Sequence, residues 1–288
     1  MKAWLDGEIV DAKDAKVSPL DHGYLYGDGV FEGIRIAHGR VFRLDDHLAR
    51  LANSAKLIGL ALPMSIEAIK AVVVETARAF GREAAYVRLV VSRGEGPLSV
   101  DPTICHEPKL VCLVGTVSLY SEELQHRGLS LITAATRRPP PDVLDPRVKS
   151  LNYLNNAMAK RQARLGGADD ALLLNQAGRV AEASVANVFC VRDGSLFTPS
   201  LCEGPLGGIT RDSVLKLARG LGIEIHECPL TRYDLITAEE AFLTGSGAGL
   251  IPVAELDGVS IGQGDRRVVT DRLIGDLDAF RKENGEVF

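Results

Sequence analysis

Four X-Gly pairs, Asp6-Gly7, His38-Gly39, Asp193-Gly194 and Asp257-Gly258, each stand between two short runs of strand-forming residues. A two-residue hairpin turn needs positive φ at its centre, which glycine accepts freely and Asp or His tolerates better than a branched residue. The stretches "AWLDGEIV", "GVFEGIRIAHGRVFRL", "VFCVRDGSLFTP" and "IPVAELDGVSIG" therefore predict β-hairpins in both halves of the chain. Hairpins join antiparallel neighbours, so the sheets should be antiparallel or mixed.

Helical periodicity appears between the strands. Leu48, Leu51 and Ala55 recur at helical spacing over 44–60, and 65–80 opens on Ser65 as N-cap, carries Glu67 in its first turn and stops at Gly81. Further helices are expected from Ser150, from Thr210 to about 221, and over 265–283. "AAYVRLVVSR", "PKLVCLVGTV", "LSLITAATR", "GIEIHECPL" and "EEAFLTG" read as strands, while the run Pro139 to Pro141 reads as a loop. A chain of 288 residues exceeds most single cores. The division expected is a small N-terminal domain over 1–117, a polar link over 118–127 and a larger domain over 128–288, an α+β organisation with flanking helices.

The formal charge of −5 and the lack of a Lys/Arg stripe argue against a nucleic-acid partner, and Arg137-Arg138 before the prolines reads as loop. Five cysteines form no C-x-x-C pair and have no histidine at ligand spacing, so no metal site is expected. Without a signal-peptide pattern or an apolar run of about eighteen residues, the expectation is a cytoplasmic enzyme with no membrane partner.

Several residues stand where ordinary packing would not ask for them. Lys149 in "RVKSLNYLNN" falls at the start of the helix expected from Ser150, where the helix field favours anions. It either points into water or is a lysine that loses its proton readily, as a Schiff-base lysine must. "LGGITRD" places two glycines before Thr210 as a candidate N-cap, which is either an anion site or a plain capped helix. "FLTGSGAG" sets Ser246 between glycines, in a ligand loop or a tight turn. Neither matches a nucleotide-binding glycine pattern. Glu182 follows an apolar run and needs a cation, either a protonated pyridine nitrogen or an arginine. Arg50 lies beside Leu51, and Arg88 shares a strand face with Tyr86 and Val90, a pairing that suits a carboxylate.

Six stretches in order, "DHGYLYGDGVFEGIR", "VFRLDDHLARLANSAK", "YVRLVVSRGEG", "VKSLNYLNN", "LGGITRD" and "TGSGAGLIPV", resemble the fold-type IV pyridoxal-phosphate enzymes. That family includes branched-chain aminotransferases, D-amino-acid aminotransferases, (R)-amine transaminases and aminodeoxychorismate lyases. The resemblance spans nearly the whole chain and implies the two-domain, D-amino-acid aminotransferase-like fold with pyridoxal 5'-phosphate as cofactor. It implies that Lys149 forms the imine with the cofactor and moves the proton, that Glu182 pairs with the pyridine nitrogen, and that Tyr153 contacts the phenolic oxygen. If the helix has begun, Tyr153 shares a face with Lys149 four residues earlier. Arg50, Ile209, Thr210 and Ser246 would hold the phosphate.

For the substrate, the resemblance to branched-chain aminotransferases implies a pocket of Tyr26, Phe31, Tyr86, Arg88 and Gly247, with Leu98 and Val100 of the loop 94–100 supplied by a neighbouring subunit. The reaction implied is ping-pong transamination of Leu, Ile or Val with 2-oxoglutarate in a homodimer or higher homo-oligomer. D-amino-acid aminotransferases carry an Arg-x-His trap in that loop, and here no Arg or His follows Arg93 within it. Two departures stand out: Ala186 replaces the second glutamate of E-G-x-G-E-N, and Gly249 replaces the glutamate of A-E-I-T-P-V. They keep open a D-amino-acid or (R)-amine transaminase and a lyase making 4-aminobenzoate. A non-catalytic binding protein on the same scaffold is a further alternative, against which Lys149 and Glu182 together count.

Overall fold

Asp6 and Gly7 take φ of 49° and 91°, His38 and Gly39 53° and 70°, Asp193 and Gly194 49° and 72°, and Asp257 and Gly258 53° and 79°. Each pair closes an antiparallel hairpin in the computed structural model, which describes residues 1–117, 120–262 and 267–288. Two compact units result. The first comprises Met1–Val117, Val148–Asn152 and Phe280–Phe288, and the second the remaining described residues.

In the first unit, β1 (Lys2–Leu5) and β2 (Glu8–Asp11) are followed by the short helix α1 (His22–Tyr26), then β3 (Gly29–Ala37) and β4 (Arg40–Phe42). The helices α2 (Leu44–Leu57) and α3 (Ile66–Phe80) come next, then β5 (Ala85–Ser92) and β6 (Lys109–Gly115). The start of α3 is as its sequence predicts: Ser65 Oγ accepts from Ala68 N at 3.2 Å, and Gly81 ends the helix at φ 69°. The sheet runs in the order Gly285–Val287, β4, β3, β5, β6, β1, β2. Val30, Ile34, Ile36, Val87, Leu89 and Val91 pack with Leu48, Leu51, Ile69 and Val73 from the two helices in one buried cluster. Each such side chain contributes roughly 1.5–3 kcal/mol on burial.

The lysine segment takes its conformation from this sheet. Strand β4 meets β3 at Ile36 and Ala37, at the end of that strand, which leaves the N-terminal half of β3 with an edge for another segment. Residues 149–151 fill it: Ser150 bridges Val30, Phe31 N donates to Lys149 O at 2.9 Å, and Leu151 N donates to Gly29 O at 2.9 Å. Unpaired strand-edge groups demand partners, and this demand overrides the helical pattern that follows. Lys149 is therefore not at a helix start, because the next helix begins at Leu154. The expected helix field at Lys149 and the shared helix face with Tyr153 are both corrected: Tyr153 is the residue flanking that helix. Val148–Asn152 accordingly belongs to the first unit and not to a continuous 128–288 domain.

The second unit opens with α4 (Glu122–Arg127), a helix capped by Ser121 within the polar stretch 118–127, whose first two residues lie outside the described ones. Then follow β7 (Leu129–Thr133), α5 (Pro141–Leu144), α6 (Leu154–Leu165), β8 (Asp170–Leu174), β9 (Val180–Ala183), β10 (Asn187–Arg192) and β11 (Ser195–Thr198). Pro141 sits in the first turn of α5, where a missing N–H costs nothing. The chain continues through α7 (Ile209–Gly220), β12 (Ile225–Glu227), α8 (Arg232–Ile236), β13 (Glu240–Gly245), β14 (Gly249–Leu256), β15 (Val259–Ser260) and α9 (Val268–Glu283). Residues 265 and 266 of the helix expected over 265–283 lie outside the described residues. The sheet order is β12, β11, β10, β13, β14, β7, β8, β9, with β15 beside β14. Pairing is parallel at β11/β12, β14/β7 and β7/β8 and antiparallel elsewhere, a mixed sheet. Among the described residues no helix is long and apolar enough to cross a membrane.

Candidate functional site

The candidate residues fall in both units, and each group is built within its own unit. In the first, α2 presents His47, Arg50 and Ser54 at i, i+3 and i+7, one helix face. Ser54 Oγ accepts from Lys149 N at 3.2 Å, so the lysine backbone is tied to α2 as well as to β3. Its ammonium nitrogen lies 4.3 Å from the centroid of the Phe31 ring.

Strand alternation sorts the rest. Phe31 and Gly33 of β3 stand opposite Val90 and Arg88 of β5, so Phe31, Gly33, Tyr86, Arg88 and Val90 share the sheet face away from the helices. Arg88 Cζ is 4.5 Å from the Phe31 centroid and 5.9 Å from that of Tyr86, within cation–π range. The expected company of Arg88 with Tyr86 and Val90 is present, with Arg88 exposed and the other two half-buried. A Cβ on Gly33 would lie 1.8 Å from the Tyr86 hydroxyl, so the Tyr86 ring lies over the space that this glycine leaves. Lys149, Phe31, Tyr86 and Arg88 thus form one group. Tyr26 ends α1 with its ring 4.9 Å from that of His22, and Leu98 and Val100 are each 78% exposed.

On the opposite face of β3, among the core side chains, stands Glu32, which was not singled out from the sequence. Arg50 donates to it through Nε and Nη2, both at 2.7 Å, and His47 Nδ1 donates at 2.7 Å. Burial alone would push the Glu32 carboxyl up, but the charges of Arg50 and His47, and then the hydrogen bonds from both, overcome it and hold it at about 2. Its parity was readable: in "GVFEGIRI" it shares a face with Val30, Ile34 and Ile36.

In the second unit Glu182 lies on β9, 4% exposed. Arg138 Nη2 meets its Oε1 at 2.8 Å, and Leu206 N donates to its Oε2 at 2.9 Å. Of the two cations the sequence left open, the structure supplies the arginine. Arg138 also donates through Nη1 to Asn156 Oδ1 at 3.2 Å, and Asn156 Nδ2 donates to Ser184 O at 2.7 Å. The loop reading of Arg137-Arg138 missed this role, because nothing local to "TRRPPP" shows that Arg138 is buried.

Helix α7 is capped by Gly208, and Thr210 is its second residue, not its N-cap as expected. A Cβ on Gly208 would lie 2.1 Å from Asn187 Oδ1, so the glycine allows the helix start to meet that side chain. Asn187 donates to Leu206 O at 2.8 Å and stands opposite Thr244 on β13. It thereby joins the helix entry to the strand that leads into the turn 246–248 carrying Ser246 and Gly247, both half-buried. Thr210 is 2% exposed, and its hydroxyl is buried without a hydrogen-bond partner among the described residues, as is that of Thr244. A buried hydroxyl left unsatisfied costs roughly 1–3 kcal/mol. A helix start with no side-chain cap beside an orphaned hydroxyl has the chemistry to hold a phosphate. Each unit carries groups with the chemistry that a phosphorylated pyridine aldehyde uses: a lysine in the first, and in the second a buried carboxylate and this anion seat.

Comparison with known proteins agrees. A protein of Methanocaldococcus jannaschii, provisionally named a branched-chain-amino-acid aminotransferase, is 47% identical over 284 residues, 98% of this chain and 94% of that protein. The crystal structure of the Escherichia coli branched-chain amino acid aminotransferase superposes with a TM-score of 0.94 at 31% identity, over 99% of this chain and 96% of that one. The branched-chain aminotransferase of the archaeon Thermoproteus uzoniensis, crystallised with norvaline, does so with a TM-score of 0.91 at 37% identity, over 98% and 96%. The sequence pattern of amino-transferase class IV matches residues 29–256. With that match laid over most of the chain, the chain belongs to the class IV aminotransferases.

Proposed function

We propose that this chain is a branched-chain amino-acid aminotransferase, moving the amino group of L-leucine, L-isoleucine or L-valine to 2-oxoglutarate in two half-reactions. The observation that carries the reading is the group of Phe31, Tyr86 and Arg88 beside Lys149: aromatic surface for an aliphatic side chain and a guanidinium for a second carboxylate. Names carried by relatives at 31–47% identity over nearly the whole chain support it.

Bound pyridoxal phosphate supplies the electron sink for the electrons released at the substrate Cα. Lys149 provides the amine that holds the cofactor covalently and, once displaced, the base that moves the proton. Glu182, the ion-pair partner of Arg138, would pair with the pyridine nitrogen, and Tyr153 would contact the phenolic oxygen. Arg50, Ile209, Thr210 and Ser246 hold the phosphate. Tyr26, Phe31, Tyr86 and Gly247 receive the substrate, and Arg88 takes the distal carboxylate of glutamate. Leu98 and Val100 are apolar side chains left bare in the single chain, and we read them as covered in a homodimer working in the cytoplasm.

Arg93 bears on the alternatives. It is 7% exposed, with Nε and Nη2 on Asp28 at 2.9 and 3.0 Å and further bonds to Gly59 O and Ile58 O, so it staples the fold and is no substrate trap. Gly249 takes φ of 78°, a conformation its glycine suits, and Ala186 accepts from Ala183 N at 2.8 Å in a tight turn. Neither departure removes a group that the proposed reaction uses. The test is a panel of L-amino acids, D-amino acids and (R)-amines with 2-oxoglutarate. Glutamate formation from L-leucine is expected at a kcat/KM at least about 100-fold above that from D-alanine, a discrimination of roughly 2.7 kcal/mol; the reverse preference would overturn the reading.

Thr210 gives a second test. Thr210→Val removes a hydroxyl that has no partner within the described residues, so the apo-protein should lose no stability. Pyridoxal-phosphate affinity should fall about 10–150-fold, the worth of one charge-assisted hydrogen bond. A thermal melt of the apo-protein and a cofactor titration check the two halves, and an unchanged dissociation constant would remove Thr210 from the phosphate seat.

A further inference from the structure

Glu32 stands on the core-facing side of β3, the parity of Val30, Ile34 and Ile36, and is 0% exposed, as is His47. A carboxylate in such a position is costly unless nearly every lone pair is used. Here the guanidinium of Arg50 grips it with two parallel bonds of 2.7 Å, and His47 adds a third of 2.7 Å to Oε2. A two-point fork fixes the plane and rotation of a guanidinium, where one point would leave it free to swing. Because the fork uses the Nε and Nη2 edge, the direction of Nη1 is set by Glu32. His47 is suited to its place: burial pushes its pKa down, against the pull of Glu32, while its Nδ1 donates to the carboxylate. Core packing alone asks for none of these groups. An apolar residue at 32 would match its neighbours Val30 and Ile34.

We infer that Glu32 and His47 are positioning residues that aim the Arg50 guanidinium at the cofactor phosphate. The inference rests on the phosphate-holding role proposed for Arg50. It differs from general support of the fold in one respect: it acts on the phosphate and on no other part of the cofactor.

The experiment therefore compares two ligands, pyridoxal 5'-phosphate and pyridoxal, titrated into the full-length apo-protein and its variants. Arg50→Ala should erase most of the preference for the phosphorylated form. Glu32→Gln should lower that preference about 10–50-fold, with pyridoxal affinity within about twofold of the parent, as loss of a charge-assisted fork implies. Should Glu32→Gln fail to fold, the His47 variants carry the test. His47→Phe should lower the preference about 3–10-fold, the worth of one hydrogen bond, and His47→Gln, whose amide still donates to Glu32, should restore most of it. Equal losses for both ligands, or an unchanged preference in folded Glu32 and His47 variants while Arg50→Ala abolishes it, overturn the inference alone. An unchanged preference in Arg50→Ala overturns the underlying role of Arg50 instead.

Discussion

Lys149→Ala should reduce transamination by at least about 10³-fold, since covalent attachment and proton transfer are lost together. The fold should survive. The backbone of residue 149 is tied on both sides: its carbonyl accepts from Phe31 N and its N–H donates to Ser54 Oγ. Alanine keeps both. The side chain contributes its stacking over the Phe31 ring, a contact worth about 0.5–1 kcal/mol where exposed. A melting temperature within a few degrees of the parent, with cofactor that borohydride no longer fixes to the protein, would place the loss in the chemistry. Turnover within tenfold of the parent would remove Lys149 from the mechanism.

Glu182→Gln has a comparable effect with a different signature. Losing the charge proposed to pair with the pyridine nitrogen should cost about 10²–10³ in kcat, the scale for removing one preorganised electrostatic group. It should also destabilise the second unit, because Arg138 is left as a buried guanidinium without its carboxylate, a situation worth roughly 3–5 kcal/mol. These two losses separate in the double variant Glu182→Gln/Arg138→Met. Removing both charges should return much of the stability and none of the activity. If the double variant recovered activity along with stability, Glu182 would be a structural partner of Arg138 and nothing more. Thermal melts and steady-state rates on the three proteins decide it.

What was legible in the sequence follows how local each determinant is. The four hairpins were readable because an X-Gly pair carries its own turn geometry, and α3 because Ser65 and Gly81 cap it within its own sequence. Thr210 and Ser246 were readable as candidates because glycine at a helix entry or a strand end announces a close approach of backbone. Lys149 was legible as a residue but not as a conformation. Its extended backbone is dictated by the open edge of β3, more than a hundred residues earlier in the chain, which exists only because β4 ends after three residues. The return of Gly285–Val287 to the other side of β4 is non-local in the same way. Arg138 resembled loop because its burial depends on Glu182 and Asn156, and neither is a sequence neighbour.

Glu32 is a different case, since its position on the apolar parity of β3 is written in the strand itself. A lone carboxylate on the apolar parity of a strand is a demand for cations, and the next helix offers His47 and Arg50 on a single face. The same reasoning that picked out Glu182 applies without change to Glu32.

On the proposed function, Lys149 and the groups around it carry out an amino transfer from a branched-chain L-amino acid. The most direct measurement is the first half-reaction on the purified holoenzyme, followed by its visible absorption. Adding L-leucine alone should bleach the yellow colour in a single turnover and release the corresponding 2-oxo acid, and 2-oxoglutarate should then restore the colour while forming glutamate. A holoenzyme whose colour is untouched by L-leucine, L-isoleucine and L-valine but is bleached by D-alanine would contradict the account.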